Sequence, residues 1–246
     1  YAKAGHYDRA YQRLDAILAA KPDNVVALNL KGELLSAQGR FDAAIKQFSA
    51  AIDKSPKWWI PYRNLAGMQL RLKRPEQAVA ALRAGMEKAG ELALATDLAS
   101  VYEQTQQWDQ AIETYDGVLQ RDPKSILALN NLAMLLVNQR VDAASLARAV
   151  KLSAELEKSN DPAVMDTVAW VKYKNGDFPN ALSILQQAAA KVPNSPILRF
   201  HLGMVQLRSG DHTGARSSIE AALKTGVPFQ GADEARSALE SMRRTG

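Results

Sequence analysis

The chain has 246 residues, 47% of them hydrophobic and 23% charged, which is ordinary for a folded protein and too apolar for disorder. It contains no cysteine, which removes disulfides, zinc-thiolate sites, iron–sulfur clusters and thiol nucleophiles together; nor does it contain the run of about eighteen apolar residues that a membrane span needs. Lysine and arginine number 31 against 26 aspartates and glutamates, and this excess of +5 is spread thinly without a basic stripe, so no nucleic-acid partner is expected.

The chain echoes itself. Gly39-Arg40-Phe41-Asp42-Ala43-Ala44-Ile45 recurs as Gln106-Gln107-Trp108-Asp109-Gln110-Ala111-Ile112 and as Gly176-Asp177-Phe178-Pro179-Asn180-Ala181-Leu182, with shorter echoes at residues 5–10 and 210–215. Proline closes a helical stretch at Pro22, Pro56, Pro123 and Pro193. Aligned on both elements, the chain divides into a truncated unit 1–24, the units 25–58, 59–91, 92–125, 126–161, 162–195 and 196–228, and a tail 229–246.

In chain order, Tyr1 falls at position eleven of its unit, inside a first helix, so the sequence is expected to continue upstream. Residues 1–24 are expected to fray or self-associate, because Tyr11, Leu14 and Leu18 lack a packing neighbour. Unit 59–91 carries Lys73-Arg74-Pro75 where others have glycine and an aromatic, and Gly90 where others have proline. Unit 126–161 holds two extra residues around positions 140–145, which predicts an irregular turn. In the tail, Phe229, Ala232, Ala235, Leu239 and Met242 recur at helical spacing opposite Asp233, Glu234, Arg236, Glu240 and Arg243, the pattern of a capping helix.

Each recurring position has a mechanical reason. Glycine at position fifteen (Gly5, Gly39, Gly176, Gly210) ends the first helix in the left-handed conformation. An aromatic two residues later (Tyr7, Phe41, Trp108, Phe178) plugs the turn, and Asp8, Asp42 and Asp109 are expected to cap the second helix, with Glu76 and Thr213 as weaker substitutes and Pro179 opening one helix directly. Position eight is small throughout (Gly32, Ala66, Ala99, Ala133, Ala169, Gly203), as is position twenty (Ala10, Ala44, Ala78, Ala111, Ala147, Ala181, Ala215). Small residues facing one another let two antiparallel helices approach closely.

This pattern resembles the tetratricopeptide repeat (TPR), a helix–turn–helix unit of about 34 residues. The resemblance covers essentially the whole chain and implies an all-α, right-handed α-α superhelix whose first helices line a concave groove. It also places Asn130, Met134, Asp166, Trp170, Tyr173, Phe200, Met204 and Leu207 in the late part of that groove, where they replace the small and polar residues of the early part. Two readings fit these side chains: a trough for a protein or peptide partner, or core packing on one another and on the capping helix. The chaperone-tail clamp of some such domains is not matched, since the corresponding residues are Asn29, Glu33, Arg63, Gly67, Thr96 and Ser100. An asparagine ladder is not matched either, with only Asn64 and Asn131 in place. Trp58 and Trp59, at a unit junction, are expected to pack between repeats.

Catalysis finds no constellation. His6, His201 and His212 stand at unrelated positions, no metalloprotease, phosphate-loop or nucleophile-elbow motif appears, and no buried carboxylate pair can be proposed. No catalytic residue, cofactor or metal is expected. The segments Ala128-Leu129-Asn130-Asn131-Leu132-Ala133, Asp166-Thr167-Val168-Ala169-Trp170 and Phe229-Gln230-Gly231-Ala232-Asp233-Glu234-Ala235-Arg236 resemble the C-terminal part of bacterial TPR lipoproteins of exopolysaccharide loci and the PEP-CTERM sorting system. That likeness implies a periplasmic or outer-membrane-associated scaffold whose partners belong to polysaccharide machinery. Alternatives from other classes are a regulatory or substrate-recruiting segment of a larger enzyme, and direct glycan binding by the aromatic groove.

Overall fold

The computed structural model describes residues 7–245, so Tyr1, Gly5 and His6 lie outside the described residues. Fourteen α-helices and no strand appear among them: α1 Tyr7–Ala20, α2 Val25–Ala37, α3 Phe41–Lys54, α4 Ile60–Arg71, α5 Pro75–Ala89, α6 Leu92–Gln104, α7 Trp108–Arg121, α8 Ile126–Gln139, α9 Ala143–Ala154, α10 Pro162–Lys174, α11 Phe178–Lys191, α12 Pro196–Arg208, α13 His212–Lys224 and α14 Ala232–Thr245. The protein is all-α, as its repeat pattern requires. Two compact units divide it, Tyr1–Arg121 and Asp122–Gly246.

In the first unit α2 packs on α3, α4 on α5 and α6 on α7, and each pair leans on the next. Leu35, Ala44, Phe48 and Met68 form one core cluster, and Leu14, Ala27 and Leu34 another. Gly32 is small because a Cβ there would stand 2.5 Å from the Phe48 ring. Tyr11 and Leu18 pack on the Leu14 cluster. The open apolar surface at this end belongs instead to Ile17 and Leu30, each more than 40% exposed.

The second unit repeats the scheme with α8–α9, α10–α11 and α12–α13, and α14 packs on α13 and α12. Its core holds Met165, Ala169, Ala181, Leu185, Ala188, Leu198 and Val205. At Gly203 a Cβ would meet Ile219 Cγ1 at 2.5 Å and the Ala215 carbonyl oxygen at 3.1 Å, so positions eight and twenty do face each other across the helix pair. From α14, Ala235, Leu239 and Met242 point inward while Asp233, Glu234, Arg236, Glu240 and Arg243 stay exposed. Phe229 precedes that helix, in the connection 226–231.

Two expectations need correction. The second helices begin at the aromatic residue, so Asp42 and Asp109 lie in the first turn, past the cap position; α3 has Arg40 before it and no side-chain cap. They still suit the positive end of the helix dipole. The caps sit two residues earlier, where Asp177 accepts from the Asn180 amide and Asp211 from the Gly214 amide. In the 36-residue unit the buried small residue is Ala149, fully enclosed, while Ala147 is exposed; the turn before α9 keeps three residues, and the longer stretch of this unit is 155–161, after the helix.

The left-handed turns agree with the glycine pattern: φ is +73° at Gly39 and +86° at Gly176 and Gly210. Lys73 and Gln106 occupy the same turn position at +57° and +58°. A side chain there costs about 1–2 kcal/mol. Because glycine recovers that cost but adds unfolded-state entropy, Lys73→Gly and Gln106→Gly are each expected to stabilise the protein by up to about 1 kcal/mol. Urea unfolding midpoints that fall for both variants would contradict this account of the turns.

Candidate functional site

The first helices of the second unit carry the groove residues, and the structure sorts them. Trp170 of α10 is 2% exposed and Phe200 of α12 is 1% exposed, yet both form the floor of a cleft of about 560 Å³. Met134 of α8, Ile197 of α12 and Phe229 of the 226–231 connection line its walls, with Asn138, Lys174 and Glu234 among the polar residues at its edge. Tyr173 lines an adjoining recess of about 420 Å³ with Lys174 and Arg208. Asn130, Met204 and Leu207 line neither opening: Met204 is buried, Asn130 and Leu207 half-buried.

Neighbouring rings hold the floor in place. Trp170 stacks on Tyr173 at 4.7 Å and on His201 at 3.9 Å between centroids, each pair 17° from parallel. Phe200 tilts against Trp170 at 5.9 Å and against Phe229 at 5.6 Å. The indole Nε1–H donates to Asn138 Oδ1 at 2.9 Å. Such offset and tilted pairs each contribute about 0.5–1.5 kcal/mol beyond the area they bury. Both core readings and trough readings therefore apply to parts of one array: Trp170 and Phe200 are interior side chains whose edges make the floor of an opening.

Beside Trp170 and Phe200, with His201 also lining the cleft, lies a contact that the sequence did not reveal. Asp166 and His201 are 5% and 3% exposed, and His201 Nδ1 stands 2.7 Å from Asp166 Oδ1. The two residues are 35 apart, on adjacent first helices at positions five and six of their units. Overlaying successive units on one groove would have brought them together. His212 occupies the turn slot that aromatics fill in other units, yet it is exposed at the start of α13.

The early groove is polar and satisfies itself. Asn29, 4% exposed, donates to Glu33 at 2.8 Å and accepts from Asn64 at 3.0 Å, and Arg63 pairs with Asp97 at 2.7 Å. Burial raises the Asp97 carboxyl, and the Arg63 charge opposes that shift. Burial likewise raises Glu103, opposed by the bond from the Tyr115 hydroxyl at 2.6 Å. A carboxyl whose pKa is raised on folding adds stability in acid, below its unfolded pKa, and that contribution is lost as pH rises through the folded value. Glu103→Gln, which keeps an acceptor for Tyr115, is therefore expected to melt like the parent below about pH 4 and higher than it at neutral pH. Equal melting temperatures across the pH range would refute the assignment.

Three tetratricopeptide-repeat family models match residues 1–68, 92–135 and 169–233. The chain is built of tetratricopeptide repeats. Its TPR sequence is 27% identical over 202 residues to a TPR repeat-containing protein of Pseudomonas aeruginosa, a match covering 82% of this chain and 28% of that protein. It is 28% identical over 240 residues to cellulose synthase operon protein C of Pseudomonas fluorescens, covering 90% of this chain and 19% of the relative. The chain thus spans less than a third of the length of either protein. Among solved structures it is similar to the APC/C hetero-tetramer Cut9–Hcn1, with a TM-score of 0.71 at 14% identity over 98% of this chain and 47% of that one, a likeness of fold alone. No helix among the described residues is long and apolar enough to cross a membrane.

Proposed function

We propose that this TPR chain is a non-enzymatic scaffold that docks a segment of a protein partner in the cleft of its second unit. The observation that carries this reading is the cleft itself: about 560 Å³, with Met134, Ile197 and Phe229 as walls over a floor locked by stacked rings. A rigid floor lowers the ordering cost of binding, so apolar contact there converts more fully into affinity. The similarity to a cellulose synthase operon protein supports a setting in bacterial exopolysaccharide assembly or export, and with it a periplasmic location.

Site-specific photocrosslinking in the host tests the proposal. A photoreactive amino acid at Ile197, in the cleft, should trap a discrete partner, while one at Ser183, exposed on α11, should not. Equal crosslinking from both positions, or crosslinking from Ser183 alone, would remove the cleft from the account.

A further inference from the structure

His201 has two ring nitrogens, and the fold employs one of them. Nδ1 stands 2.7 Å from Asp166 Oδ1, in a pair whose side chains are 4% and 7% exposed. A carboxylate only accepts, so the single proton of a neutral imidazole sits on Nδ1 and donates to Asp166. Nε2 then keeps a lone pair. His201 lines the cleft, and its Nε2 has no hydrogen-bond partner among the described residues.

The rings around it leave only that edge to offer. Trp170 covers one face of the imidazole at 3.9 Å between centroids, and Phe200 tilts against it at 5.4 Å. The indole N–H of Trp170 is committed to Asn138 Oδ1 at 2.9 Å. The Lys174 ammonium lies 4.8 Å from the Trp170 ring centroid. The cleft therefore combines the apolar walls of Met134, Ile197 and Phe229 with a buried acceptor whose proton position is fixed. A ligand that brings a donor satisfies that nitrogen, whereas a ligand of the same shape without one leaves it unpaired. Small hydroxyl side chains would leave the walls unfilled, and an ammonium would have to shed its hydration between them.

We propose that the cleft selects an aromatic side chain with its own hydrogen-bond donor, the hydroxyl of a tyrosine or the indole N–H of a tryptophan in the partner segment. That group donates to His201 Nε2 while its ring fills the space between the walls. The inference rests on the cleft being the docking site.

Matched small aromatics provide the test. p-Cresol carries the donor, toluene lacks it, and p-methylanisole replaces it with a methyl ether. In NMR titrations followed at the Met134 and Ile197 methyl signals, p-cresol should bind about fivefold to tenfold more tightly than the other two. Indole should exceed N-methylindole by a similar factor. The His201 Nε2 nitrogen signal should be that of an unprotonated atom in the free protein, and should move with p-cresol but not with toluene. In the double variant Asp166→Leu, His201→Phe, which removes both partners of the buried bond together, p-cresol should lose its advantage over toluene. The comparison in the parent chain decides the matter if that variant does not fold. Equal binding of all the compounds, a protonated Nε2, or a p-cresol advantage that leaves the Nε2 signal unmoved or survives in the double variant would overturn donor selection and leave the docking cleft standing. Methyl signals that none of the compounds moves would overturn both.

Discussion

Trp170→Ala is expected to destabilise the second unit by about 3–5 kcal/mol, which lowers the melting temperature of that unit by roughly 10 °C or more. The indole is 2% exposed and stacks on Tyr173 and His201, so its removal leaves a cavity bounded by rings that cannot collapse together. The change also strips Asn138 Oδ1 of its donor. Trp170→Phe, which keeps a ring and loses the N–H, should cost about 1–2 kcal/mol. Calorimetry decides the matter: if Trp170→Ala melts within two or so degrees of the parent, the ring is not part of the core. The same burial bears on glycans, because a ring covered in this way offers no open face on which a sugar could stack.

Asp166→Ala should cost about 2–3 kcal/mol, because it leaves His201 Nδ1 buried without its partner. Asp166→Asn retains an oxygen at that point and should cost less. A double-mutant cycle with His201→Ala separates the bond from the loss of volume, and a coupling of about 1–2 kcal/mol is expected from urea unfolding. Additivity within roughly 0.5 kcal/mol would mean that the 2.7 Å contact contributes nothing to stability. Since His201 also stacks on the Trp170 ring, Asp166→Ala should loosen the cleft floor and weaken any ligand bound above it.

The fold was legible because its demands fall on single residues at a fixed spacing. Gly32, Ala66, Ala99, Ala133, Ala169 and Gly203 are buried at every helix crossing, and Gly39, Gly176 and Gly210 have positive φ at their turns. No neighbouring unit can relax these requirements. Where two residues share a task, the pattern blurred. Capping moved from Asp42 to the residue before the aromatic, as Asp177 shows, since either side of the helix start can meet the exposed amides.

The candidate site was legible only in part, for a related reason. Aromatic character at Trp170, Tyr173 and Phe200 stood out in the sequence, but whether an edge is open depends on what lies over it. Here that is the 226–231 connection, which brings Phe229 onto Phe200 and follows no repeat. The Asp166–His201 contact stayed hidden because each residue is unremarkable within its own unit and gains meaning only across two.

The irregular turn between α8 and α9 has a practical consequence. Val141 there is fully exposed, while the turn keeps three residues like its counterparts and Ala149 seats fully in the helix pair. A fully exposed turn tip tolerates added residues without disturbing the helices it joins. A fluorophore-bearing tag or a small folded reporter placed between Arg140 and Asp142 would extend outward from the unit, giving a handle for imaging or immobilisation that leaves the ring array untouched.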